Sequence, residues 1–308
     1  MISVAVARIT KSFTATCVLA LLAGLGLAVL IAPVAAVGIF HMGFRFPFPR
    51  IFDRVVMLTQ GLALAYYAGP LGVVTLMRQG FGEPRRNALR GLAGFVVVLV
   101  SVGVLLALAA ILSRGRIPAG ALAARAATHL AGAVLIGIIE EGFFRAFLLG
   151  GMTRDFDRLG ALVTSSAVFA LVHLARSPAR FYVTNFEPTV GIANLESSFS
   201  RLACPGNLFP MLLGLFLVGL LLGEAFVLTG RIYLSAGMHA ALVLGAKTWP
   251  VVGHAGGQLP GWLAGPGPIP MVAAPAAWGL IVVLMVILPG LLRRRDENLD
   301  QRGLSRAS

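Results

Sequence analysis

Residues 131–150 read AGAVLIGIIEEGFFRAFLLG, an apolar stretch that carries two adjacent glutamates, Glu140 and Glu141, and an arginine, Arg145. Its length matches the roughly 20 residues that an α-helix needs to cross the hydrocarbon core of a bilayer. A charged side chain at the centre of such a helix costs roughly 2.5–3.5 kcal/mol on insertion scales, so charges placed there mark functional sites by default. The stretch therefore predicts a transmembrane helix with a functional site inside it.

The composition of the whole chain indicates a membrane protein. Hydrophobic residues make up 58% of the 308 residues, charged residues make up 12%, and the mean hydropathy is +0.89. A soluble domain has about 25% charged residues. A formal net charge of +13 can also indicate a nucleic-acid-binding protein, but here the basic residues are scattered between apolar segments. We therefore expect contacts with the lipid bilayer and no nucleic-acid partner.

Apolar segments of about 20 residues define eight candidate transmembrane helices. They are Phe13–Phe40, Val55–Met77, Gly91–Ser113, Ala126–Gly151, Ala161–Ala175, Leu208–Gly230, Ile232–Trp249 and Met271–Leu292. Gln60, Pro70 and two tyrosines interrupt the second segment, so seven spans stay an alternative. The predicted fold is all-α, a polytopic transmembrane helical bundle of about eight spans.

The chain shows no internal repeat and no polar linker long enough to separate two domains, so residues 1–308 are predicted to form a single integral membrane domain. Residues 176–207 are predicted to be a loop. The distribution of Lys and Arg, above all between Arg78 and Arg90, favours a cytoplasmic location for both termini. The arginine-rich, cysteine-poor composition indicates a bacterial plasma membrane. The oligomeric state is not indicated.

Besides Arg145, the predicted spans contain six ionisable residues of interest. They are Glu140, Glu141, Glu224, His129, His173 and His239. With a helical rise of about 1.5 Å per residue, three of them lie at broadly similar depths, roughly 11–18 Å from the inner ends of their spans. These three are Glu140, His173 and His239. Side chains at one depth on three helices can converge in a bundle core, although the alternative is that the charges only neutralise one another.

Helical spacing gives the two glutamates different predicted roles. Glu141 and Arg145 are i, i+4 neighbours and can form a structural or positioning ion pair. Glu140 points about 100° away and is the candidate general base. Water is the expected nucleophile because no Ser–His or Cys–His pattern is evident nearby. For Glu224 we favour a structural role over that of a third carboxylate in the site.

Three motifs, in this order, resemble those of the CPBP intramembrane proteases, a family that contains type II CAAX prenyl proteases and bacteriocin-processing or bacteriocin-immunity proteins. Glu140–Arg145 (EEGFFR) is similar to the EExxxR motif, and Phe169–His173 (FALVH) is similar to FxxxH. Phe216–His239 is similar to the third region, which ends in the second histidine. The resemblance covers roughly residues 126–249, the expected protease-like core.

The resemblance implies an intramembrane endopeptidase that hydrolyses a peptide bond of a membrane-associated protein or peptide. Its implied catalytic residues are Glu140, Glu141, His173, His239 and Arg145. Glu140 would activate water with help from His173, and His239 would help to stabilise the oxyanion. The resemblance leaves open whether a metal takes part. If zinc is used, Glu140, His173 and His239 are the implied ligands, with one open position.

Val243 departs from the family pattern, which usually has Asn or Asp four residues after the last histidine. Valine can neither donate to an oxyanion nor ligate a metal, and the loss of one oxyanion donor costs about 2.7–4 kcal/mol in catalysis. Two further function classes stay open. One is a catalytically inactive binding or bacteriocin-immunity protein with the same fold. The other is a membrane transporter, which would also keep ionisable groups near the midplane.

Overall fold

The computed structural model describes residues 12–114, 118–174, 180–199, 205–253, 258–266 and 270–304. Within these ranges the chain is helical and contains no β-strand. Five of the described helices are long and apolar enough to cross a membrane. They cover Phe13–His41, Pro84–Leu112, Ala119–Met152, Leu208–Thr229 and Pro275–Leu292. The predicted all-α fold of an integral membrane protein is confirmed, and the count of eight spans stays a prediction.

The described chain contains both long helices and helices of one or two turns. In chain order they are α1 (Phe13–His41), α2 (Phe48–Tyr66), α3 (Ala68–Leu71), α4 (Val73–Gly80), α5 (Pro84–Leu112), α6 (Ala119–Glu141), a π-helix (Gly142–Leu149), α7 (Gly150–Met152), α8 (Arg158–Leu174), α9 (Val190–Phe199), α10 (Pro205–Thr229), α11 (Tyr233–Gly253), α12 (Gly261–Ala264), α13 (Pro270–Ala273) and α14 (Pro275–Leu304). The side chain of Ser12 caps α1 by accepting a hydrogen bond from the amide of Ala15.

Two predicted segments differ from the structure. The span predicted for Val55–Met77 is wrong as one continuous helix, because the chain there forms α2, α3 and α4. The break between α3 and α4 falls at Gly72, whose φ of +64° is in the left-handed region that favours glycine. The loop predicted for residues 176–207 contains the ten-residue helix α9. In the first segment the apolar composition gave no sign of the helix ends, and in the second the charged residues favoured a loop.

The chain divides into two compact units. The first consists of the described residues of Met1–Leu76, Gly150–Ala161 and Leu171–Leu208. In this unit α1 packs along α2, and α9 packs against α1. A Cβ atom at Gly191 would collide with the carbonyl group of Val29, so α9 approaches α1 closely at this glycine. The packed residues are Ala28, Ala32, Ala36, Phe48, Ile51, Phe52, Val55 and Val190.

The second unit consists of the described residues of Met77–Leu149, Leu162–Ala170 and Phe209–Ser308. In this unit α11 packs against both α5 and α6. Glycines allow the close approach: a Cβ at Gly237 would collide with the carbonyl of Gly91, and a Cβ at Gly137 would lie 2.7 Å from the carbonyl oxygen of Ala236. The helix that carries His239 is therefore held directly against the helix that carries the two glutamates.

The helix that carries the glutamates changes its geometry at the site. It is α-helical up to Glu141 and π-helical from Gly142 to Leu149, where seven residues are buried. In a π-helix each backbone hydrogen bond spans five residues, and such turns occur frequently at functional sites. The predicted span, Ala126–Gly151, ends within one residue of the observed Ala119–Met152 but begins seven residues late, and the expectation of α-helical geometry throughout is wrong for residues 142–149.

Candidate active site

Glu141 lies at the centre of a buried polar cluster in the second unit. Its side chain has no exposed surface. One carboxylate oxygen accepts a hydrogen bond from Nε of Arg145 at 3.1 Å, and the other is 2.9 Å from Nδ1 of His239. Ser235, one helical turn before His239 on α11, lies near this carboxylate, and its hydroxyl donates to the carbonyl of Ile232 at 2.9 Å. Glu141 therefore joins the π-helix to α11 through its contacts with Arg145 and His239, as a buried carboxylate requires.

Arg145 is held by both an ion pair and an aromatic ring. Its side chain is completely buried, and its guanidinium carbon lies 5.2 Å from the centre of the Phe169 ring. Such a position allows a cation–π interaction. Among the described residues, neither Nη1 nor Nη2 of Arg145 has a hydrogen-bond partner. The predicted pairing of Glu141 with Arg145 is confirmed, and the guanidinium keeps two amino groups for other partners.

The position of His239 between two carboxylates determines which ring nitrogen carries hydrogen. Because an ionised carboxylate only accepts hydrogen bonds, the Nδ1–H of His239 donates to Glu141. The opposite nitrogen, Nε2, lies 3.7 Å from a carboxylate oxygen of Glu140. In neutral His239 this Nε2 has a lone pair that faces Glu140. The sequence did not predict this orientation, because nothing in it identifies Glu141 as the partner of Nδ1.

The two adjacent glutamates differ strongly in how much of each side chain lies at the surface of the protein. The side chain of Glu140 is 32% exposed, whereas that of Glu141 is fully buried. Of the two, only Glu140 reaches the surface, and its oxygen nearest to His239, Oε2, is buried. Glu141 has its oxygens directed to Arg145 and His239. The structure thus gives the pair the asymmetry that helical spacing predicted.

Phe169 and His173 both lie on α8. Phe169 is buried, and its ring contacts Phe144 edge-on at 5.1 Å and His239 at 5.9 Å between centroids. His173 follows Phe169 by four residues and lies in the last turn of the same helix. Phe169 belongs to the second compact unit and His173 to the first, so the boundary between the units falls within this motif.

The remaining candidate residues occupy less distinctive positions. Val243 is partly buried and lies one turn after His239 on α11, so it occupies the same face as in the family pattern. Glu224 is partly buried on α10, and His129 lies on α6. Ser235 was not predicted from the sequence. Its spacing of four residues before His239 was the signal that could have identified it, because i and i+4 share a helix face.

Glu140 and His239 have donor atoms suited to zinc. Two ligands bound to a tetrahedral zinc ion at about 2.0–2.2 Å lie roughly 3.3–3.6 Å apart. The 3.7 Å between Nε2 of His239 and the Glu140 oxygen is close to this spacing. A carboxylate that accepts from the other ring nitrogen, as Glu141 does, is the usual way in which a metal-binding histidine is oriented. The residues therefore fit a zinc ion.

The fold and this cluster define an integral membrane protein with a buried centre of carboxylates and histidine. The family described as type II CAAX prenyl endopeptidase Rce1-like has a model that matches residues 122–244. This range contains all three motifs, and the match supports membership of the CPBP family of membrane proteases, which the motifs also indicated. A search of the curated proteins found no match, and a search of the solved structures found none either.

Proposed function

We propose that this protein is an intramembrane endopeptidase that uses water to hydrolyse a peptide bond of a membrane-associated protein or peptide. Membership in the Rce1-like family supports the class of hydrolase. The observation that carries the proposal is the asymmetry of the adjacent glutamates about His239. Glu141 is buried and holds Nδ1, whereas Glu140 is 32% exposed and lies beside Nε2. An oriented histidine next to a partly exposed carboxylate is an arrangement suited to proton transfer.

In this proposal Glu140 is the general base. It removes a proton from water while the oxygen attacks the carbonyl carbon of the substrate, and it returns the proton to the amine nitrogen as the carbon–nitrogen bond breaks. His173 assists Glu140. The support for His173 is its register on α8, because it lies one turn after Phe169, which packs against Arg145 and His239.

The developing oxyanion needs a hydrogen-bond donor, and Val243 cannot supply one. His239 can donate from Nε2 only when both of its ring nitrogens carry hydrogen. The cluster has two carboxylates and one guanidinium, so a positive charge on His239 would make it neutral overall. Arg145 is the second candidate, because its two amino groups have no hydrogen-bond partner among the described residues. We propose that His239 and Arg145 together replace the missing asparagine.

A zinc ion held by Glu140, His173 and His239 would act as a Lewis acid toward the water. The roles of the surrounding residues are the same with or without it: Glu141 orients His239, and Arg145 balances the charge of Glu141. Metal content of the purified protein, measured for the wild type and for His239→Ala, tests this assignment without relying on activity. Equal metal content in the two proteins would exclude His239 as a ligand.

The experiment that tests the proposed function is cleavage of a panel of fluorogenic membrane peptides by the full-length protein in detergent. Glu140→Gln keeps the size of the side chain but removes its basicity, and we expect a loss of about 10²–10⁴-fold in turnover. Glu224→Gln is the matched control, because it alters another glutamate of a membrane-spanning helix. Full turnover by Glu140→Gln would show that the general-base assignment is wrong.

The second candidate function is that of a non-catalytic binding or immunity protein, and Val243 is the observation that favours it. Val243→Asn restores the residue that the family usually carries. An inactive wild type combined with an active Val243→Asn variant would support this second function. An active wild type would exclude it.

A further inference from the structure

Two hydrogen bonds and an ion pair join the segment that precedes α5 to the turn that precedes α11. The amide of Ile232 donates to the carbonyl of Gly80 at 3.1 Å, and the hydroxyl of Tyr233 donates to the carbonyl of Phe81 at 2.8 Å. An ion pair of 3.0 Å joins Arg231 to Glu83. These contacts link residues about 150 positions apart in the sequence. The two segments therefore form one fixed surface of the second unit.

This surface carries a large excess of positive charge. Its members are five arginines and one acid: Arg78, Arg85, Arg86, Arg90, Arg231 and Glu83. Both Arg86 and Arg231 form ion pairs with Glu83, at 3.4 Å and 3.0 Å, so they share a single negative charge. The side chain of Arg86 remains 79% exposed. We call these six residues the basic surface.

The basic surface continues into an exposed apolar stripe on α5. Arg85 is followed at helical spacing by Leu89, Leu92, Val96 and Val100, which are 63%, 59%, 46% and 61% exposed. Positions i, i+4, i+7, i+11 and i+15 lie on one face of an α-helix. The cationic side chain of Arg85 therefore lies on the same helix face as four exposed apolar side chains, at its N-terminal end. This helix is long enough to cross the membrane.

We propose that the basic surface binds the phosphate of an anionic phospholipid, whose acyl chain lies along the stripe from Leu89 to Val100. The basic side chains attract the headgroup, since arginines near a membrane surface favour anionic lipids by roughly 1 kcal/mol each. Because the stripe lies on a helix long enough to cross the membrane, the basic surface lies next to the hydrocarbon region, where lipid phosphates are the nearest anions. This site is independent of the proposed peptidase reaction.

The test is native mass spectrometry of the full-length protein released from detergent in the presence of phosphatidylglycerol or phosphatidylcholine. The triple variant Arg85→Gln, Arg86→Gln, Arg231→Gln removes three charges from the basic surface. Its matched control, Arg45→Gln, Arg50→Gln, Arg54→Gln, removes three exposed charges from the first unit. We expect phosphatidylglycerol to bind about a hundredfold more weakly to the first variant, about fivefold per arginine, and unchanged to the control.

Three outcomes would overturn the proposal. Equal binding of phosphatidylglycerol by the two triple variants would show that the basic surface is not the site. Binding of phosphatidylcholine as tight as that of phosphatidylglycerol would exclude recognition of a negative headgroup. Displacement of the lipid by an equal concentration of glycerol 3-phosphate would identify a site for soluble phosphate. If the triple variant does not fold, Arg85→Gln alone should still weaken binding about fivefold.

Discussion

Glu141 and Glu83 are two carboxylates with almost the same set of partners and opposite surroundings. Each contacts two basic side chains, one near in the sequence and one distant: Arg145 and His239 for Glu141, Arg86 and Arg231 for Glu83. Their shortest contacts are 2.9 Å and 3.0 Å. The side chain of Glu141 is fully buried, whereas that of Glu83 is 49% exposed.

The surroundings of each ion pair, and not the distances within it, determine how much the pair contributes to the stability of the folded protein. Water and salt screen the charges around Glu83, so removing one of them leaves the others solvated. No water replaces a lost partner of Glu141 without a change in the packing. A buried charge that loses its partner is strongly destabilising, whereas an exposed charge is not. Three predictions test this difference, in order of decreasing effect.

Glu141→Ala should lower the free energy of unfolding by about 3–5 kcal/mol, because it leaves the buried guanidinium of Arg145 without a counter-charge. Unfolding of the purified protein in detergent by denaturant measures this loss. The control is the double variant Glu141→Ala, Arg145→Met, which removes both charges. The double variant should be more stable than Glu141→Ala alone, and the reverse order would contradict an electrostatic cause.

Ser235→Ala should have an intermediate effect, because it removes a buried hydroxyl that donates to the carbonyl of Ile232 at 2.9 Å. A hydrogen bond contributes about 0.5–1.5 kcal/mol net, so the free energy of unfolding should fall by an amount in this range. Ser101→Ala is the matched control, because its hydroxyl also donates to a carbonyl of its own helix, but in an exposed position. Equal losses in the two variants would contradict a contribution of burial to the strength of the Ser235 hydrogen bond.

Glu83→Gln should have the smallest effect, and that effect should depend on pH. Hydrogen bonding and the positive charge of Arg231 hold the pKa of Glu83 below its ordinary value. A carboxyl whose pKa is lowered in the folded protein stabilises it above the unfolded pKa, and this contribution disappears as the pH falls through the folded pKa. The melting temperatures of wild type and Glu83→Gln should therefore converge in acid and with added salt. A constant difference would contradict the ion-pair explanation.

The sequence predicted those features that depend on neighbours along the chain. Apolar length identified α1, α5 and α10, and i, i+4 spacing identified the pair of Glu141 and Arg145. The partner of His239 was not predictable, because Glu141 lies 98 positions away and reaches it only through the packing of α11 on α6. The break at Gly72 and the π-helix were also missed, since hydropathy does not report backbone geometry.

In an ordinary transmembrane α-helix the number of residues fixes the direction in which each later side chain points around the axis. The π-helix loosens this coupling between helix length and side-chain direction. Deleting one residue from an α-helix turns every later side chain by about 100° about the axis. A π-helical segment holds one residue more per hydrogen-bonded turn than an α-helix, so a deletion between Ala146 and Leu149 can be absorbed by a return to α geometry. The spacing of Glu141 and Arg145 would stay intact. Single-residue deletions in this span should therefore be tolerated just after the motif and rejected within α6.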